Sequence, residues 1–317
     1  MTHPQLHLKT VTRTQGANSA LKDGSVSPRH ATLDFVEVPL LVQAFRRMVR
    51  QLEFDVCEMA ATTYLCAKRF GIAFTAIPVF LVRGFHHGAV LTHPAARVDN
   101  PRDLEGRRVG VHRGYTVTTG VWARSILARE HGVDLDRVTW VLSGDEHVEQ
   151  YRPPANVVPV DPGADLVDLL VAGELAAVVG AGIDGPGLAP LLREPAEAAL
   201  EAVRRRGFFP VNHLVVVRDD LLAAHASLGA DLFEAFAEAK NRYLEDIGQV
   251  DVGELDGADR VNRQVMAITG SDPLPYGIEP NRGILEELID AAIGQQILEQ
   301  RPALDELFAA GTRDLVA

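Results

Sequence analysis

Between Phe54 and Gly180 short apolar runs alternate with stretches of helix length. Only a parallel-rich α/β sheet accommodates that pattern well, since each crossover must carry the chain from the end of one strand back to the start of the next. FDVCEM, from Phe54 to Met59, reads as a buried strand that stops at a carboxylate. Thr62 and Thr63 open a helix running to about Phe70. Ile72 to Val82 is a nearly continuous apolar run interrupted by Pro78, and Ala89 to Thr92 is the next strand. A strand over Arg107 to Val111 leads through HRGYTVTTG into a helix from Thr118 to Glu130. Val138 to Leu142 and Ala176 to Gly180 are strands flanking a helix over Gly163 to Ala172.

Upstream, Leu6 to Val11 and Leu33 to Val38 alternate as strands, while Leu41, Val42, Phe45, Met48, Val49 and Leu52 recur at helical spacing. After a strand over His213 to Arg218 the last third is helical: Leu228 to Ile247, Ala258 to Thr269, Arg282 to Gln300 and Pro302 to Ala309. No repeat, low-complexity tract or linker separates the parts. Two α/β lobes joined by more than one strand would leave none.

Composition narrows the function classes. With 47% hydrophobic residues the chain can bury a substantial core, and 31 basic against 43 acidic side chains give a net charge of −12. That balance carries no electrostatic footprint for nucleic acid or an anionic membrane surface. Cys57 and Cys66 match neither a redox pair nor a zinc spacing and read as buried small hydrophobes. The start, MTHPQLHLKTVTRTQG, lacks a secretory signal, and no run reaches the roughly 20 apolar residues of a membrane span, so the expected location is cytoplasmic.

Several clusters could carry chemistry. Arg83-Gly84-Phe85-His86-His87-Gly88 sets a guanidinium beside two imidazoles between glycines, suited to holding a carboxylate and delivering a proton; a solvated surface turn is the plainer reading. Glu58 ends a buried strand just before a helix, where ligands meet open α/β sheets, although a structural ion pair fits as well. Thr62 and Thr63 offer hydroxyls and amides at a helix start, for an anion or for ordinary capping. HRGYTVTTG resembles a second anion cradle, with Arg113, Tyr115, Thr116, Thr118 and Thr119 around the first turn of its helix and Trp122 one turn further in. Asn212-His213 precedes LVVV and could set an imidazole at a strand end; His112 also abuts an apolar strand. The remaining histidines, His3 among them, are scattered. There is no GxxxxGK[ST], HExxH or GxSxG, and the glycines from Gly180 to Gly187 do not form a dinucleotide fingerprint.

Taken together, FRRMVRQLEFDVCEMAATTYL, AIPVFLVRGFHHGAV, DLEGRRVGVHRGYTVTTGVWARSIL, GFFPVNHLVVVRDDLL and DPLPYGIEPNRGILEELI resemble the 4,5-dihydroxyphthalate decarboxylase family. The resemblance spans about Leu33 to Phe308. It implies a two-lobed α/β fold of the type II periplasmic-binding-protein-like class with crossing hinge strands. Residues 1–88 plus 210–317 would form the first lobe and 89–209 the second, with the ligand cleft between them. It also implies that Glu58, Arg83 with His86 or His87, and Asn212 with His213 line that cleft. One departure stands out: where relatives carry an acid–arginine pair after the first strand, this chain has Thr12-Arg13-Thr14-Gln15-Gly16-Ala17-Asn18-Ser19. This amide-rich loop, with Asn18 reaching the ligand, points to a different substrate.

The implied activity is cofactor-independent decarboxylation of a small hydroxylated aromatic carboxylic acid. His86 or His87 would protonate the ring, and His213 or Glu58 would polarise the phenol. Arg83 and Arg113, with Thr62, Thr63, Tyr115, Thr118 and Asn212, would hold acid groups. An arginine paired to the departing carboxylate would stabilise the ground state, so the arginines are expected on a retained group. The alternatives are a non-catalytic small-acid binding protein of the same fold, a biosynthetic lyase or decarboxylase on another acid, and a metal-dependent variant using these histidines with Glu58. The oligomeric state is left open.

Overall fold

A computed structural model describes residues 6–255 and 257–317; His3 lies outside them. The chain begins with β1 (Leu6–Val11), the short α1 (Ser19–Lys22), β2 (Ala31–Phe35), α2 (Leu41–Gln51), β3 (Val56–Ala60), α3 (Ala61–Arg69) and β4 (Phe74–Arg83). Next come β5 (Val90–Thr92), β6 (Arg108–Val111), α4 (Thr118–His131), β7 (Thr139–Leu142), β8 (Val157–Pro159), α5 (Leu166–Val171), β9 (Ala177–Val179), β10 (Ala189–Pro190) and α6 (Pro195–Arg206). β11 (Val211–Arg218), α7 (Asp219–Ala224), α8 (Leu228–Gly248), α9 (Gly257–Thr269) and α10 (Arg282–Gly294) follow. Among the described residues no helix is long and apolar enough to cross a membrane.

The elements group into two compact units. The first holds the chain up to Gly84 with Phe209–Glu286 and Pro302–Ala317; the second holds Phe85–Phe208 with Glu287–Arg301. Relative to the expected division, 85–88 and 287–301 fall in the second unit. Side-chain bonds explain the second of these: Gln295 is bonded to Arg124 and Val121, and Asp290 to Arg129.

In the first unit the sheet runs β2-β1-β3-β11-β4, with β1 parallel to β2 and β3, and β11 antiparallel to β3 and β4. On α8, Leu228, Leu232, Phe236 and Ala239 recur at spacings of three and four and bury in one cluster with Ile77, Val79, Val215 and Val217. Each such large side chain stabilises the unit by roughly 1.5–3 kcal/mol through burial. Because β11 runs against its neighbours, its first residues lie beside the carboxyl ends of β3 and β4: His213 stands opposite Ala60 and Val82, and Val211 opposite Arg83. Pro78 does not break β4, which is the last strand of the sheet. The pairing skips from Val82 to Ile77 opposite His213–Val215, so the strand bulges around the proline, where a missing N–H costs no ladder bond.

In the second unit the order is β10-β5-β9-β6-β7-β8, with β6 parallel to β7 and β9, β7 parallel to β8, and β5 antiparallel to its neighbours. Val141, Leu166, Leu170, Leu175 and Val178 form a buried cluster. α4 is buried from Thr118 to Leu127, and Trp122 meets Phe208 edge-on at 5.4 Å, a core role.

Several expected elements shift. β2 occupies 31–35 rather than 33–38 because it pairs with β1 only from Leu6↔Ala31 to Thr10↔Phe35. α10 stops at Gly294, just before Gln296 with its φ of 59°, and the expected helix over 302–309 is a 3₁₀ turn at Leu304–Leu307. α6 was not anticipated, although Pro195 at its start, Arg204 to Arg206 in its last turn and Gly207 in a left-handed cap are the ordinary signals.

Candidate functional site

Strand register brings Glu58 and His213 together. Glu58 pairs across the ladder with Val215, so His213, two residues away on the same strand, projects from the same face as its diagonal neighbour. Glu58 is fully buried and one of its oxygens lies 2.6 Å from His213 Nδ1. The loop after β1 adds a cation. Arg13 donates its backbone N–H to Glu58 Oε2 at 2.9 Å, and its Nε lies 3.2 Å from Oε1. Phe45 from α2 closes against the imidazole, ring centroids 5.1 Å apart and nearly perpendicular.

Burial alone would push the Glu58 carboxyl up, but the hydrogen bond with His213, together with the charge and backbone N–H of Arg13, holds it below the usual carboxylate range. Burial pulls His213 below the usual imidazole range; Glu58 opposes this and Arg13 reinforces it. An ionised Glu58 facing a neutral imidazole places the ring proton on Nδ1. Nε2 is then a base. Cys57, the neighbour of Glu58 on the strand, is a buried free thiol whose ionisation burial suppresses.

Thr62 and Thr63 are buried in the first turn of α3, directly after β3. Asn212 is half-buried next to His213, and its Oδ1 is buried with no hydrogen-bond partner among the described residues. Two of the expected ligand contacts, Asn18 and Arg83, are hydrogen-bonded within the chain. Asn18 accepts from Gln15 N at 3.0 Å and donates to Thr12 Oγ1 and the Arg13 carbonyl at 3.1 and 2.9 Å, so it fixes the loop that presents Arg13. Arg83 donates to the carbonyls of Phe209 at 2.9 Å and Pro275 at 3.3 Å, and to Asn281 Oδ1. Burial pulls its guanidinium down to about 10. Its partners are neutral groups of the first unit, where a substrate carboxylate had been expected.

His86 and His87 lie in the second unit, on the turn after Phe85. Both are buried. His87 Nε2 lies 3.2 Å from Glu130 Oε2, which Arg206 also engages through the other oxygen, and its ring meets Phe208 edge-on. Glu130 thus engages Nε2 of His87, while Nδ1 is buried with no hydrogen-bond partner among the described residues.

The HRGYTVTTG loop crosses the carboxyl end of β6. Arg113 is exposed and adopts a left-handed φ of 72°, while its N–H bonds Ser143 Oγ at 2.9 Å. Within this loop the donors of Tyr115 and Thr116 are taken by Glu146. The N–H groups of Tyr115 and Thr116 and the Thr116 hydroxyl all donate to the Glu146 carboxylate. Thr118 is buried as the first residue of α4. Among the described residues no group of three or more His, Cys, Asp or Glu side chains is gathered to hold a metal ion.

Sequence reasoning missed Arg13 and Glu146. Arg13 has a signal, its position just past the carboxyl end of a parallel strand, but the amide-rich composition of its loop masks it. Glu146 had none, since only the pairing of β6 with β7 brings its loop to Tyr115.

No protein-family model matches the sequence. The 4,5-dihydroxyphthalate decarboxylase of Comamonas testosteroni is 29% identical over 284 residues, covering 84% of this chain and 85% of that protein. The enzyme of the same name from Pseudomonas putida is 32% identical over 146 residues, 44% of this chain and 56% of that protein. Among solved structures, the periplasmic aliphatic sulphonate binding protein SsuA of Escherichia coli superposes with a TM-score of 0.55 at 10% identity, covering 97% of this chain and 98% of that one. The desulfurization enzyme DszB gives 0.54 at 15% identity, over 96% of both chains. Sequence and fold agree: the chain is a homologue of 4,5-dihydroxyphthalate decarboxylase built on the type II periplasmic-binding-protein-like α/β fold.

Proposed function

We propose that the protein is a carboxy-lyase that removes CO₂ from a small hydroxylated aromatic carboxylic acid, with His213 as its acid–base group. The carrying observation is the Glu58–His213 pair: a buried ionised carboxylate fixes the tautomer of a neutral imidazole at the carboxyl end of β3. The homology to a decarboxylase over most of the chain supports the same reading. Nε2 of His213 takes the phenolic proton, pushing electron density into the ring. The ring carbon bearing the carboxylate takes a proton drawn from solvent, and the bond to that carboxylate breaks as its electron pair restores aromaticity. CO₂ leaves and His213 returns its proton to the phenolate. One proton is consumed per turnover.

Arg13 is half exposed beside the pair. It serves a retained acid group or the phenolate, because pairing with the departing carboxylate would stabilise the ground state more than the transition state. The test is a panel of hydroxylated aromatic acids, 4,5-dihydroxyphthalate included, scored for CO₂ release by the wild type, His213→Gln and Glu58→Gln. Turnover by the wild type and a loss of about 10²–10⁴-fold in kcat for His213→Gln, with KM little changed, is expected. Equal turnover in that variant would remove the proposed base. Binding without gas from any acid would favour a small-acid binding protein of the same fold.

A further inference from the structure

The second unit carries a cavity that the proposed chemistry does not use. It measures about 280 Å³ and opens between the latter half of α4, the segment that follows it and the last turns of α10. Leu135 and Asp136 in its wall lead into β7, and the Arg137 carbonyl beside them accepts from Gly106 N at 2.7 Å just ahead of β6. The cavity therefore lies toward the amino ends of these strands, whereas open α/β sheets take their ligands at the carboxyl ends.

Its wall is short of positive charge. Asp134, Asp136 and Asp290 line it against one cation, Arg129, which Glu287 at 3.4 Å and Asp290 at 3.3 Å already engage. Asp290 pairs with Arg301 as well. α10 has no basic side chain in its last turn, so its carbonyl end adds to the negative field. Asp134 spends one oxygen on the Asp136 N–H at 3.1 Å, and the Asp136 carboxylate makes no hydrogen bond or ion pair among the described residues. A second unused group stands deeper. Ser125 lines the cavity, is only 5% exposed, and makes no side-chain hydrogen bond among the described residues. A buried hydroxyl left without a partner is unfavourable, and one that lines a cavity can be satisfied by what the cavity holds. The rest of the wall includes Ala128, Leu135 and Ala291, an apolar surface that favours a hydrocarbon over water. Gly294 lines it too, and a Cβ built there meets no atom within 4 Å.

We propose that this cavity is a second ligand site, for a small organic cation: a primary ammonium on a short hydrocarbon body. The ammonium brings three N–H donors, which suit the carboxylates of Asp136 and Asp134 and the oxygen of Ser125, while the hydrocarbon covers Leu135 and Ala291. A bare inorganic cation would leave the apolar wall uncovered, and a carboxylate would meet charges of its own sign. The site is separate from the chemistry at His213 and goes beyond the decarboxylase reading.

The probe is n-butylammonium, titrated into the full chain at fixed ionic strength and followed by ligand-observed NMR, with butyrate and 1-butanol as controls of the same hydrocarbon length. The wild type should bind the ammonium about ten-fold more tightly than the alcohol, and butyrate should not bind. Asp136→Asn should weaken the ammonium by about five-fold, the scale of one solvent-accessible charge pair. Gly294→Leu replaces a helical glycine and puts a side chain into open space, so it should fold as well as the wild type and abolish binding. Absence of ammonium binding by the wild type, equal binding of ammonium and alcohol, or binding unchanged in either variant overturns the proposal; unchanged binding would mean a diffuse attraction of cations to a chain of net charge −12. Where Gly294→Leu does not fold, Asp136→Asn decides. CO₂ release plays no part in the readout, so failure here is distinct from failure of the decarboxylase reading.

Discussion

At Glu58 burial and pairing oppose each other, and pairing prevails because Arg13 and His213 both face the carboxylate. At His213 the balance falls the other way, and the imidazole is held below its ordinary range. The two shifts have the same consequence for stability. A histidine depressed in the folded state stays neutral while the unfolded chain already binds a proton, so stability falls as pH drops below about 6.5. Glu58, also depressed, adds a second loss as pH falls through the carboxylate range. Urea unfolding across a pH series should therefore give a steeper decline for the wild type than for His213→Gln below about pH 6.5. Parallel curves would remove the linkage. Both residues were legible as strand-end groups, whereas Arg83 was not: its partners lie 126, 192 and 198 positions away, and nothing local announces them.

The elements were legible where apolar residues recur at helical spacing, as in α2. They were least so where a neighbour decides the length, as with β2, which ends where β1 stops pairing. The loop from Arg13 to Asn18 shows how closely one element is fitted to another. A Cβ on Gly16 would come within 2.1 Å of the Tyr243 ring on α8, and Tyr243 is itself bonded to Asp259 at 2.6 Å and Asn262 at 3.0 Å. Gly16→Ala should destabilise the protein by roughly 1–3 kcal/mol, since the ring is pinned and cannot step aside. The urea midpoint should drop with an unchanged slope, and an unaltered midpoint would mean that the ring moves freely.

For the whole molecule, a ligand that binds only the folded chain stabilises it by mass action, by about 2.7 kcal/mol at a hundred-fold excess over Kd. Any acid that the wild type turns over should raise Tm in His213→Gln as much as in the wild type, because that substitution removes a proton acceptor and leaves Arg13 intact. A shift lost in the variant would make His213 a binding group. The sequence alone determined the alternating α/β pattern, the helical last third and the positions of Glu58 and His213 at strand ends. These follow from the spacing of apolar residues and from turn chemistry, which act over a few positions. Only the tertiary structure decided that Glu58 meets His213 across 155 positions and that Glu146 fills the Thr116 cradle across 30. Those bonds depend on strand order and register, and these are fixed only when distant strands pair within each sheet.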